Sequence, residues 1–195
     1  MGPFQKSITK EEVNKMPLQS FNGEIVVVDT EEQILEATNY LKDQSVLGFD
    51  TETRPSFKKG RVNGVALLQL SSDTHSFLFR INKIGLPGPL VKILSDPQIL
   101  KVGVAIKDDI KGLQKFHSFK SDGFLELQEY VGQLGIESYS LKKLTAIVLN
   151  FRISKRQQVS NWEASELSAG QLRYAATDAW VSLKIFERLE ECQSQ

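Results

Sequence analysis

The chain has 195 residues, 41% of them hydrophobic and 25% charged, a composition that fits a folded domain with one real core and excludes disorder and collagen-like repeats. Its 24 basic and 24 acidic residues cancel, which argues against a binder that relies on bulk positive charge while leaving locally segregated charge open. The longest aliphatic run, Ile25 to Val28, is far short of the ~20 residues a membrane helix needs, and the polar first twenty residues do not read as a secretory signal.

In chain order, Thr9-x-x-Glu12 has the capping-box form and predicts a short helix that Pro17 ends. Residues 24–29 are a β-branched run, and Thr30-x-x-Gln33 then opens a second helix carrying Ile34, Leu35, Thr38 and Leu41. Residues 45–49 read as a buried strand that ends in Asp50-Thr51-Glu52. A basic stretch with Arg54, Lys58, Lys59 and Arg61 reads as an exposed loop. Strands over 62–71 and 76–81 flank a polar turn and predict a hairpin. A short helix at 87–94, a strand at 100–104, a helix from about Asp109 and a short strand at 124–127 follow. The last helix carries Leu172, Ala175, Ala176, Ala179, Leu183 and Phe186 as its apolar stripe. This order predicts an α/β architecture around a mixed sheet, and the chain reads as one domain, 1–195. Leu68 reads as core and Gln69 as edge, with Trp162 a core anchor. The lone Cys192 offers no internal disulfide or zinc cluster, so a reducing setting is expected, cytoplasmic or nuclear (nucleoid in a bacterium).

Three places put carboxylates where buried segments avoid charge. Asp50 and Glu52, two apart on a strand, share a face and repel unless a cation lies between them; a strand end fraying into water is the plainer alternative. Asp109 stands at the start of a helix, where an acid is equally what an N-cap looks like. Tyr174 and Asp178, four apart on the final helix, share a face among apolar neighbours, with an ion pair as the alternative reading. Oxygen ligands without His or Cys companions suit Mg²⁺ or Mn²⁺ over zinc, and two such ions suit displacement at phosphorus.

The motifs Phe49-Asp50-Thr51-Glu52-Thr53, Val102 to Asp109, and Tyr174-Ala175-Ala176-Thr177-Asp178, in this order, resemble the three exonuclease motifs of the DEDDy 3′→5′ exonucleases. Arg173 stands where the sister DEDDh pattern has His. The resemblance runs from about residue 25 to 190, with 1–24 as an N-terminal extension. Secondary matches, Val65 to Leu70, Ser140-Leu141-x-x-Leu144 and Lys155 ahead of Ser160-Asn161-Trp162, are most similar to the exonuclease domain of Werner syndrome helicase, with RNase D a more distant relative.

That resemblance implies an RNase H-like fold, α/β with a mixed five-stranded sheet flanked by α-helices. It also implies a metal-dependent 3′→5′ exonuclease that hydrolyses terminal phosphodiesters of DNA or RNA to 5′-mononucleotides. Asp50, Glu52, Asp109 and Asp178 would hold two Mg²⁺ or Mn²⁺ ions, and Tyr174 would orient the attacking water. Lys155 would bind a phosphate, while Arg54, Lys58, Lys59 and Arg61 could track the strand and Phe57 offer a stacking face. Nucleic-acid 3′ ends are the expected partners, with DNA favoured over RNA and no membrane. The competing expectation is a catalytically silent nucleic-acid-binding or scaffold member of the same fold.

Overall fold

The computed structural model describes residues 4–56, 60 and 63–193. Six strands form one sheet: β1 (Glu24–Val28), β2 (Val46–Thr53), β3 (Val65–Ser71), β4 (His75–Phe79), β5 (Leu100–Gly103) and β6 (Phe124–Glu126). Their spatial order is β1-β4-β3-β2-β5-β6. The β3–β4 hairpin is antiparallel, as its polar turn predicts, and β2 pairs antiparallel with β3 and parallel with β5. The α/β class holds, but the sheet has six strands rather than five. The extra count is legible in the chain itself, since three residues of β6 suffice to continue the parallel edge beside β5.

Eight helices complete the described elements: α1 (Lys10–Lys15), α2 (Glu31–Leu41), α3 (Ile81–Ile84), α4 (Gly88–Ser95), α5 (Lys107–Gln114), α6 (Leu127–Gln133), α7 (Leu141–Leu149) and α8 (Ala169–Gln193). Both predicted capping boxes form, Thr9 with Glu12 and Thr30 with Gln33. A third, Ser168 with Gln171, starts α8. One face of the sheet buries Phe49, Leu68, Leu70 and Phe79 against α2, α4 and α5. The other face lies under α8, with α7, α6 and α1 packed behind it through Val13, Val131, Leu144 and Leu189.

Gln69 is not an edge residue. It sits in the interior strand β3, opposite Asp50, fully buried and with neither amide atom paired among the described residues. Strand alternation gave no sign of this, because an interior strand and an edge strand share one period. Trp162 is fully buried, and its ring packs at a tilt with its centroid 5.9 Å from that of Tyr174, so it buttresses the tyrosine.

The approach of α8 to β2 depends on a missing side chain. A Cβ on Gly48 would lie 1.9 Å from the carbonyl oxygen of Ala179, so helix backbone rests directly on strand backbone there. Residue 48 and Asp50 share a face, and Ala179 follows Asp178, so this contact sets how close the two carboxylates come. Gly48→Ala should cost at least about 1–3 kcal/mol of stability by overpacking, read as a lower urea midpoint. An unchanged midpoint would mean that the helix is free to move off the strand.

Candidate active site

Alternation along β2 points Asp50 and Glu52 at α8 and turns Thr51 to the opposite face. A register shift after Glu52 marks the end of regular pairing with β3, the kind of irregularity that re-aims side chains at the rim of a sheet. From α8, Tyr174 and Asp178 meet the two strand carboxylates one helical turn apart. Ligand oxygens of Asp50, Glu52 and Asp178 all lie within 4.8 Å of one another. They open into a cleft of about 320 Å³ whose facing wall includes Ser140, Lys142, Lys155 and Gln158.

The electrostatics are those of crowded, buried acids. Burial first, then the charges of Asp178 and Asp109, holds Asp50 well above the usual carboxylate range. Burial and the same neighbours, with Asp50, push Glu52 up to about 10. Burial pushes Asp178 up to about 7, opposed by the Tyr174 phenol and by the charge of Lys155. Burial and the surrounding carboxylates raise the Tyr174 phenol as well, so it keeps its proton at neutral pH. One oxygen of Asp178, Oδ1, is buried without a hydrogen-bond partner among the described residues. An acid-only donor set, mutually repelling and with an orphaned oxygen, fits a hard divalent cation.

Asp109 is placed differently from the other three. It lies in the first turn of α5, yet it does not cap that helix. Just ahead of that helix, Glu126 accepts from the backbone N–H groups of Ala105 and Ile106 at 2.8 Å each, where Ala105 holds a left-handed φ of 61°. The Asp109 carboxylate accepts a 2.5 Å hydrogen bond from the Thr51 hydroxyl, which approaches from the opposite face of the sheet. Its charge is felt by Asp50 and Glu52, but it is not part of the three-carboxylate cluster.

Of the expected substrate contacts, Lys155 lines the cleft. Arg54 is exposed and pairs with Glu163 at 3.1 Å, outside the cleft lining. Lys58, Lys59, Arg61 and Phe57 lie outside the described residues. Thr51 and Glu126 were not singled out from the sequence. A threonine between two acids in a strand carries no signal that it serves a carboxylate arriving from another element. The pairing of Glu126 with residues 105 and 106 spans twenty residues of intervening chain.

A family model described as 3′-5′ exonuclease matches residues 25–192. The chain belongs to the 3′-5′ exonuclease family. Its three motifs are those of the DEDDy branch that includes RNase D and the Werner exonuclease domain. The bifunctional 3′-5′ exonuclease/ATP-dependent helicase WRN of Mus musculus is 32% identical over 195 residues, covering 95% of this chain and 14% of that protein. Among the first curated relatives, this chain spans 14%, 46% and 66% of their lengths. The Nibbler EXO domain of Aedes aegypti shares the fold with a TM-score of 0.81 at 24% identity, covering 90% of this chain and 93% of that one. Trypanosoma brucei RNase D in complex with RNA U12 does so with a TM-score of 0.76 at 24% identity, covering 87% and 63%. These likenesses establish the RNase H-like architecture. The expected preference for DNA over RNA finds no support, since an RNA complex stands among the similar structures. Among the described residues no helix is long and apolar enough to cross a membrane.

Because the site's carboxyl groups titrate above their unfolded values, the stability they contribute is complete below about pH 4 and is lost as pH rises through the folded values. Those values are about 7 for Asp178 and about 10 for Glu52. In chelator, Tm should therefore fall as pH rises from about 5 to about 8, and Asp178→Asn should flatten that slope. Identical pH profiles for the two proteins would contradict the crowding of charge described here.

Proposed function

We propose that this exonuclease-family chain acts as one domain that hydrolyses the terminal phosphodiester of a polynucleotide from its 3′ end, releasing 5′-mononucleotides. The observation that carries this reading is the convergence of Asp50, Glu52 and Asp178, with the phenol of Tyr174, in one open cleft. Asp50, Glu52 and Asp178 would hold Mg²⁺ or Mn²⁺. Bound there, a divalent cation lowers the pKa of a water and neutralises charge on the departing oxygen.

The protein's own groups do the rest. Tyr174 keeps its proton, so it serves as a hydrogen-bond donor that orients the attacking oxygen, not as a base. Trp162 fixes the ring from behind. Lys155, on the facing wall, offers a positive charge to a phosphate near the scissile bond. Asp109, tethered by Thr51, adds negative charge behind the cluster and strengthens its hold on a cation.

The test is a gel assay of 5′-labelled DNA and RNA oligomers with Mg²⁺ or Mn²⁺ and with chelator. A ladder shortening from the unlabelled 3′ end, abolished by chelator and by Asp50→Ala or Asp178→Ala, is the expected result, and the two oligomers report sugar preference in the same gel. Tyr174→Phe should lower kcat by about 10²- to 10⁴-fold, the range of a lost proton-positioning group, while metal binding by calorimetry persists. Strand binding with no shortening of either oligomer would instead identify a catalytically silent member of the fold.

A further inference from the structure

Beside the catalytic cleft lies a second hollow, of about 280 Å³, lined by Lys10, Val13, Ser140, Lys142, Lys143 and Lys155. Ser140, Lys142 and Lys155 line both spaces, so the hollow is a direct continuation of the cleft. Resting on the exonuclease reading, we infer that this hollow is the track along which the phosphate backbone of the substrate strand runs away from the cut end, and that Lys10 is supplied to it by the N-terminal extension.

Four observations support the track. First, among the described residues no ammonium group of these four lysines forms a hydrogen bond or ion pair, although the charge of Lys155 is felt by Asp178. Several lysines elsewhere are matched with acids, as in Lys83 with Asp29, Lys107 with Glu129, Lys111 with Asp108 and Lys184 with Asp73. Lys15, Lys92 and Lys115 form no ion pair among the described residues either, but none of them lines the cleft or the hollow. In a chain of zero net charge, four converging lysines without a paired acid are a segregated positive patch. Second, Lys142 and Lys143 sit in the first turn of α7, which contains no acid, where the helix dipole disfavours cations. Helix stability therefore does not place them there.

Third, Lys10 is held in position. It opens α1, whose capping box is complete and whose Val13 is buried against the α6–α7–α8 layer. The segments flanking α1 are fixed as well. The Lys6 carbonyl accepts from the Glu137 N–H at 2.7 Å, and Pro17 to Gln19 exchange backbone hydrogen bonds with Arg152. Residues 4–24 precede the part of the chain that the family model matches, so Lys10 comes from outside that matched core. Fourth, the cleft is acidic and repels a polyanion. A neutral protein that works on one needs compensating positive charge next to its acids, and this hollow provides it. A strand, rather than an acidic protein, is the occupant that continuity with a cleft for 3′ ends favours.

The test compares wild type with Lys10→Gln/Lys143→Gln and with a control of equal net charge, Lys92→Gln/Lys115→Gln, after thermal melts show all three folded. Fluorescein-labelled dT12 and rU12 are titrated in calcium across a salt series. The track variant should bind several-fold more weakly, with a slope of log K against log salt about 1.4 smaller, at roughly 0.7 per lost single-strand contact, while the control pair matches wild type. The kcat/KM of the track variant should also fall more on a 12-mer than on a dinucleotide. Equal binding and slopes for wild type and the track variant, or an equal loss in the control pair, would overturn the track. The two readings fail separately. If wild type shortens 3′ ends but the track variant is indistinguishable from it, the exonuclease stands and the track falls. If wild type shortens nothing yet the salt slopes differ as expected, the track stands and the exonuclease falls.

Discussion

Everything at the site depends on one close contact, the backbone of α8 resting on β2 at Gly48. A helix packed on a sheet through ordinary side chains stands about 10 Å away, too far for an acid on one to share a ligand with acids on the other. Removing the Cβ at that contact, and lining the helix with Ala175, Ala176 and Ala179, lets Asp178 reach the oxygens of Asp50 and Glu52. The register of the helix is then pinned from its far side. The Thr177 hydroxyl accepts from the Phe21 N–H at 3.0 Å and itself donates to the Arg173 carbonyl, while the Arg173 guanidinium donates to the Phe21 carbonyl.

Bringing three acids together in a buried place opposes folding, and the surrounding structure offsets that cost in two ways. Hydrophobic packing on both faces of the sheet, with aliphatic residues from α2, α4, α5, α7 and α8, fixes the strands and the helix independently of the charges. The Thr51 hydroxyl removes one acceptor from the crowd by tying Asp109 on the other face, so only three carboxylates share the cleft itself. Three acids this close and this buried repel one another when ionised, and a divalent cation held between them, as proposed above, would relieve that repulsion.

Much of this was legible in the chain. Two capping boxes, the β3–β4 hairpin and the apolar stripe of α8 follow from local spacing, and local spacing is what sequence reports best. Two of the three acidic motifs supply the cluster, Asp50 and Glu52 from the end of a buried strand and Asp178 from an apolar helix face, while Asp109 of the other motif lies outside it. What escaped were features set by other elements. Gln69 looks like an edge residue by alternation, and only sheet order reveals that β3 is interior. Asp109 suits an N-cap by its position in the chain, and only the structure shows it inside the first turn of α5, bonded instead to Thr51 from a distant strand. Nothing in the sequence singles out Lys101, yet it is fully buried, its ammonium donating to the carbonyls of Asp96, Ile99 and Asp122. Each of these assignments depends on which segment passes nearby in space.

The ties between Phe21 and α8 bear on how this protein should be cut for study. A fragment trimmed to the boundaries of the matched family region would begin at residue 25 and discard Phe21, whose ring is wholly enclosed and lies 5.9 Å from Trp180. The indole would then face solvent, and Thr177 would lose its amide donor immediately beside Asp178. A shortened recombinant version could thus be soluble and helical yet carry a slackened carboxylate pocket, so the opening residues belong inside any minimal catalytic unit.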